Sequence, residues 1–96
     1  MTVAGSDETD VPATKVVATA VSAKRTLMAE VDQNGFVVGI RVLSDAVRQW
    51  DSWTLGENAV AVAAVARDRY LANQPRNEAT YPTHQSVAAD ERRLKF

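Results

Sequence analysis

No cysteine occurs anywhere in the 96 residues, which excludes disulfides, thiolate metal ligands and a cysteine nucleophile at one stroke. Histidine is nearly as scarce. The single His84 has no second histidine to share a metal with and lies in a polar stretch, so it is read as an idle side chain. Charge of one sign is missing as well: 11 basic residues stand against 12 acidic ones, for a net of −1. Such a balance supplies no broad field for holding DNA or an anionic membrane. Lys15 to Gln74 alone carries seven basic against six acidic residues, +1, and does not change this. No apolar run approaches the roughly 18 uncharged residues of a transmembrane helix, so membrane insertion is not expected. The opening MTVAGSDETDVPAT has neither the basic n-region nor the apolar h-region of a signal peptide, and a cytoplasmic location is expected. There is no glycine-rich phosphate loop, nucleophile elbow or metal-ligand spacing. The expectation is therefore a protein with no catalytic residues, no metal and no cofactor, which is not an enzyme.

What is present is organised around Arg25 to Leu43, RTLMAEVDQNGFVVGIRVL, which reads as a β-hairpin. Asn34-Gly35 lies between two runs of alternating polar and apolar residues, and both residues tolerate the positive φ of a two-residue type I′ turn. That turn sets Gln33 opposite Phe36, Val31 opposite Val38, Ala29 opposite Ile40 and Leu27 opposite Val42. Leu27, Ala29, Val31, Phe36, Val38, Ile40 and Val42 then share a core face, while Thr26, Met28, Glu30, Asp32, Gly39 and Arg41 face water.

Residues 1–14 are acidic and aperiodic and are expected to be a disordered leader. From Lys15, KVVATAVS is β-prone. A tight connection at Ala23-Lys24 would set Ala20 opposite Leu27 and Ala18 opposite Ala29; Ala-Lys is poor turn chemistry, so a longer loop is the alternative. After the hairpin, Ser44 starts a short helical turn, and Asp51 caps a long helix, with Trp50 and Leu55 at the two positions of a hydrophobic staple. Leu55, Ala59, Val62, Ala63, Ala66 and Tyr70 recur at helical spacing, and Pro75 ends the helix near Gln74. The expected fold is α+β: a three-stranded antiparallel meander and one long C-terminal helix over residues 15–74, with a disordered tail over 75–96 whose final AADERRLKF could form a last turn of helix, short and marginal alone in water.

The remaining polar groups have ordinary readings. Glu30 and Asp32 are two carboxylates on one solvated strand face, and Arg41, diagonal to Glu30, makes a cross-strand ion pair. Arg67 and Arg69 complement the dipole at the helix end. Arg92, Arg93 and Lys95 are answered by Asp90 and Glu91. Trp53 and the second helix face of Val60, Ala64, Val65 and Leu71 are the candidate interface, because one helix and three strands cannot cover apolar residues on both sides of Ala59 to Ala66. A homodimer is expected through that face or through an edge strand such as Lys15 to Ser22.

Arg25-Thr26 opening a strand, the turn glycine Gly35, the strand VVGIRV, the segment DSWTLGE and VAAVARDR at the helix end together resemble the YbaB/EbfC nucleoid-associated family. They look closer still to the EspD/EspH-like accessory proteins of mycobacterial type VII (ESX) secretion. The resemblance spans about residues 15 to 74. It implies a sheet-plus-helix unit, often dimeric, with no catalytic residues to carry over. The long N-terminal helix of YbaB/EbfC is missing, and neither Tyr70 nor Tyr81 is followed four positions on by an acidic residue, those positions being Gln74 and Gln85. The resemblance therefore implies a cytoplasmic accessory or chaperone-like protein of the secretion system. YbaB/EbfC-like DNA binding is the alternative.

Overall fold

A computed structural model describes residues 14–75 and 81–96. Strands β1 (Val16–Val21), β2 (Leu27–Asp32) and β3 (Val37–Val42) form one antiparallel sheet in the order β1-β2-β3. A short 3-10 helix, Asp45–Gln49, capped by the Ser44 hydroxyl, leads to helix α1 (Ser52–Ala72). Asp51 caps α1 by accepting from the Thr54 N–H at 2.7 Å. A second helix, α2 (His84–Arg92), follows, so the α+β class holds with two helices where the sequence suggests one. Of the expected leader over 1–14, only Thr14 falls within the described residues, and residues 76–80 of the expected tail lie outside them.

The two sheet connections share one construction, and neither is a two-residue turn. At the second, the Gly35 N–H donates to Asp32 O and the Asp32 N–H to Phe36 O, closing a three-residue loop, Gln33 to Gly35. Gly35 has φ +86, whereas Asn34 is not in the positive-φ region. This is a type I turn ending in a left-handed residue, not the type I′ turn that Asn-Gly suggests. Asp32 selects it: its Oδ1 accepts from the N–H groups of Asn34 and Phe36, each at 2.9 Å. The carboxylate expected on the wet face is consequently buried in its own turn. The longer loop is absorbed by a bulge that puts Val31 opposite Val37 instead of Val38, beyond which Ala29–Ile40 and Leu27–Val42 pair as the alternation predicts.

At the first connection Ser22 takes the role of Asp32. Its Oγ accepts from the N–H groups of Thr26 and Leu27, its carbonyl accepts from Arg25, and Arg25 is left-handed at φ 58. Ala20 therefore faces Ala29 and Ala18 faces Val31, a two-residue slip from the tight-turn register. Because side chains alternate with period 2, a slip of two leaves the residues from Ala18 onward on their expected face; a bulge between Val16 and Ala18 puts Val16 opposite Asp32 instead of Val31.

Helix α1 lies over β1 and β2. Ala18, Ala20, Leu27, Ala29 and Val31 are buried beneath Val62, Val65 and Ala66. At its C-terminal end Tyr70 covers the β2–β3 turn: its hydroxyl donates to Gln33 O at 3.3 Å, and a Cβ on Gly35 would sit 2.8 Å from its ring. Gly35 is thus required both by its φ and by this approach.

The expected tail over 75–96 instead contributes α2 and a closing segment to the core. Thr83 and Ser86 form a reciprocal cap, Val87 and Leu94 are buried, and the Phe96 ring meets Trp50 edge-on at 5.8 Å. Leu94 O and Phe96 O accept from the N–H groups of Ala23 and Lys24. A nine-residue helix is marginal alone in water, but here its Val87 is buried against the rest of the domain.

Candidate interaction surfaces

The hydrogen-bonded pairing of β1 with β2 runs through the even-numbered residues of β1, as the Ser22 N–H donating to Leu27 O shows, so Thr19, Val21 and Ala23 turn their backbone groups to the outer edge. Each meets a partner. Arg69 Nη1 donates to Thr19 O at 2.8 Å, the Val21 N–H donates to Glu91 Oε2 at 2.8 Å, and Leu94 O accepts from Ala23. Arg69 and Glu91 also form a bidentate ion pair with both contacts at 3.0 Å. Burial raises the pKa of the Glu91 carboxyl, but the hydrogen bonds from Arg69 and Val21 and the Arg69 charge outweigh it, holding the carboxyl below its usual range. Arg69, read from the sequence as a dipole complement, is thereby a clamp between α1, β1 and α2. The β1 edge named as a dimer route is thus occupied at Thr19 and Val21.

At β3 the situation is reversed. The Leu43 N–H donates to Thr26 O, so Leu43, Arg41 and Gly39 turn their backbone groups inward to β2, while Ile40 and Val42 turn theirs outward. No partner meets those two among the described residues. The side chains assigned to the core face are open too: Phe36, Val38, Ile40 and Val42 are all exposed, Val42 at 60%, because α1 is seated over the other two strands. On the opposite face Arg41 Nε donates to Glu30 Oε2 at 2.9 Å, the expected diagonal pair. Glu30 Oε1 lies over Gly39, 2.9 Å from where a Cβ would stand.

The candidate interface residues on α1 divide. Trp53 and Val60 are 73% and 71% exposed, and Ala64 is exposed beside them. Val65 turns into the core and Leu71 is half-buried, so the second face is narrower than the periodicity suggests. Val60, Ala63, Ala64 and Arg67 share an open apolar groove with Phe36 and Val37 at the start of β3. Trp50 is half-buried against Phe96, and Leu55 is exposed. Asp51 is exposed, and its carboxyl is held below the usual range first by the Thr54 N–H and then by the Thr54 side chain.

A second concavity beside the β1–β2 turn is lined by Arg25, Arg92 and Lys95, none of which has an ion-pair partner among the described residues. Arg93 pairs with Asp90 at 2.9 Å. His84 opens α2 at the surface. Among the described residues no group of three or more His, Asp or Glu side chains is placed to hold a metal, and no helix is long and apolar enough to cross a membrane. No protein-family model, no curated protein and no solved structure matches this chain.

Proposed function

We propose that this chain is a non-enzymatic protein-interaction module, a cytoplasmic accessory or chaperone-like protein of a type VII secretion system. The observation that carries the interaction role is the uncovered apolar surface of β3 continued by Val60 and Ala64 of α1, since large exposed apolar patches mark protein-binding sites. The resemblance of residues 15 to 74 to EspD/EspH-like proteins supplies the class of partner. Co-expression of the tagged chain with each component of an ESX system tests it. One component should co-purify with the wild-type chain and be lost with Val60→Asp, a change at an exposed position that leaves the core intact. Retention of no component, or equal retention by Val60→Asp, overturns the reading.

A second reading, YbaB/EbfC-like DNA binding, draws on Arg25, Arg92 and Lys95 around one concavity, cations without an ion-pair partner among the described residues. Gel shifts over a salt series separate the two. Binding through so few phosphate contacts is weak and falls with a shallow salt slope, whereas submicromolar affinity with a steep slope would favour DNA.

A further inference from the structure

We infer that the free edge of β3 is a self-pairing edge: two copies of this chain join β3 to β3 antiparallel across a two-fold axis at Ile40, making one six-stranded sheet. The inference rests on the reading of the chain as an interaction module. It assigns the β3 edge to a second copy and leaves the groove at Val60 to the other partner.

The register follows from which groups are free. Ile40 and Val42 carry the outward backbone groups, so a second strand must bond through residues of that parity. Bonding Ile40 to Val42 puts the axis at Arg41 and sets two guanidinium groups directly opposite, an unfavourable pair. Centring on Val42 leaves most of β3 unpaired, and centring on Val38 runs the ladder through the bulge. Centring on Ile40 lets the two copies exchange N–H to C=O bonds there and sets Val42 beside Val38 of the second copy, so side chains exposed in one chain meet their counterparts.

The same register satisfies the charges. Arg41 of one copy falls opposite Gly39 of the other, at the closer spacing of a non-hydrogen-bonded pair, about 4.5 Å between Cα atoms. Gly39 has no side chain, and the carboxylate leaning over it is Glu30, whose Oε2 already takes its own Arg41 while Oε1 points over the glycine. A guanidinium arriving opposite Gly39 meets that second oxygen. The result is an alternating ring of two arginines and two glutamates around the axis, which an unrelated strand would not supply.

The β1 edge cannot serve in its place, because Arg69, Glu91 and Leu94 occupy it. The bulge at Val37 and Val38 shortens the pairing without blocking it, since the axis lies beyond it.

Two measurements on the full chain test the pairing. Equilibrium sedimentation across the micromolar range should show a monomer–dimer equilibrium, weakened by about ten-fold or more in Ile40→Pro, which removes the outward N–H, and in Val42→Lys, which charges the edge. Circular dichroism checks that each variant is folded. Because the chain has no cysteine, Ile40→Cys gives a single thiol that should oxidise rapidly to a disulfide-linked dimer, while Val17→Cys on β1 should not; this arm stands even if the proline variant fails to fold. A wild-type mass that stays monomeric, a dimer unaffected by Val42→Lys, or equal cross-linking at Val17 and Ile40 overturns the inference. Partner retention sensitive to Val60→Asp would in those cases leave the functional reading standing.

Discussion

Along β1 the outward backbone is met in turn by Arg69, Glu91 and Leu94, whereas along β3 the outward backbone of Ile40 and Val42 meets nothing among the described residues. One sheet thus has a closed edge and an open one, and the difference lies in how each is protected. An uncovered strand edge is a template for further pairing, which natural sheets blunt with covers, charges or bulges. The cover on β1 comes from about 70 residues further along the chain, through Glu91 and the closing segment. β3 has only its bulge and Arg41. The side-chain layers differ in the same direction, since α1 buries the apolar residues of β1 and β2 and leaves those of β3 exposed.

The strongest way to break this contrast is to remove the cover. Val87 is 1% exposed and anchors α2, so Val87→Asp places a charge in an apolar site with no partner. A loss of about 3 kcal/mol or more is expected in chemical denaturation. With α2 displaced, the amides of Val21 and Ala23 should exchange quickly while β2–β3 amides are accelerated less. Unchanged protection at Val21 would mean that α2 does not guard the edge.

A smaller effect is expected from Gly35→Val, which attacks the hairpin that presents the open edge. The substitution forces a β-branched residue to φ +86 and drives its Cβ to 2.8 Å from the Tyr70 ring. The expected cost is about 1 to 3 kcal/mol. A thermal melt indistinguishable from wild type would show that the glycine is dispensable there.

How much of this was legible in the sequence depended on whether the signal was local. The alternation in β2, the Asp51 cap and the Pro75 stop are local, and they locate the hairpin strands, the start of α1 and its end within a few residues. The turn types were not legible from Asn34-Gly35 alone, because the competing signal came from Asp32, whose carboxylate bonds two turn amides. Parity survived both register changes. The slip of two at β1 preserves faces from Ala18 onward by periodicity, and the bulge in β3 confines the other change to the turn end. α2 was missed because a nine-residue helix has little helical stability of its own. Thr83 followed by Ser86, with Val87, Leu94 and Phe96, was the available signal, a cap ahead of sparse apolar residues. The asymmetry between the edges had no sequence signature, since Arg69 and Glu91 read as ordinary surface charges until the fold brings them to Thr19 and Val21.

The most delicate probe of the closed edge is the Glu91 carboxyl, because it can be weakened by pH without altering any side chain. Its folded pKa lies below the 4.5 of an ordinary glutamate, so the sign is fixed. The stabilisation is fully present above about pH 4.5 and is lost as pH falls through the lower folded value, where the carboxylate is protonated and the Arg69 pair weakens. Glu91→Gln keeps an oxygen for the Val21 N–H but removes the charge, so it should cost on the order of 1 kcal/mol or less at neutral pH, given that both partners of the pair are still about a quarter exposed. It should also flatten the stability profile below pH 4.5. Asp51, whose carboxyl is likewise held low, titrates in both proteins, so the difference between their profiles isolates Glu91. Parallel profiles would show that the Arg69–Glu91 pair does not contribute to the closure. If the wild-type chain at low pH also gains species larger than a dimer, β1 has opened to pairing; a mass that remains dimeric would mean that Leu94, whose backbone carbonyl does not titrate, suffices to hold that edge.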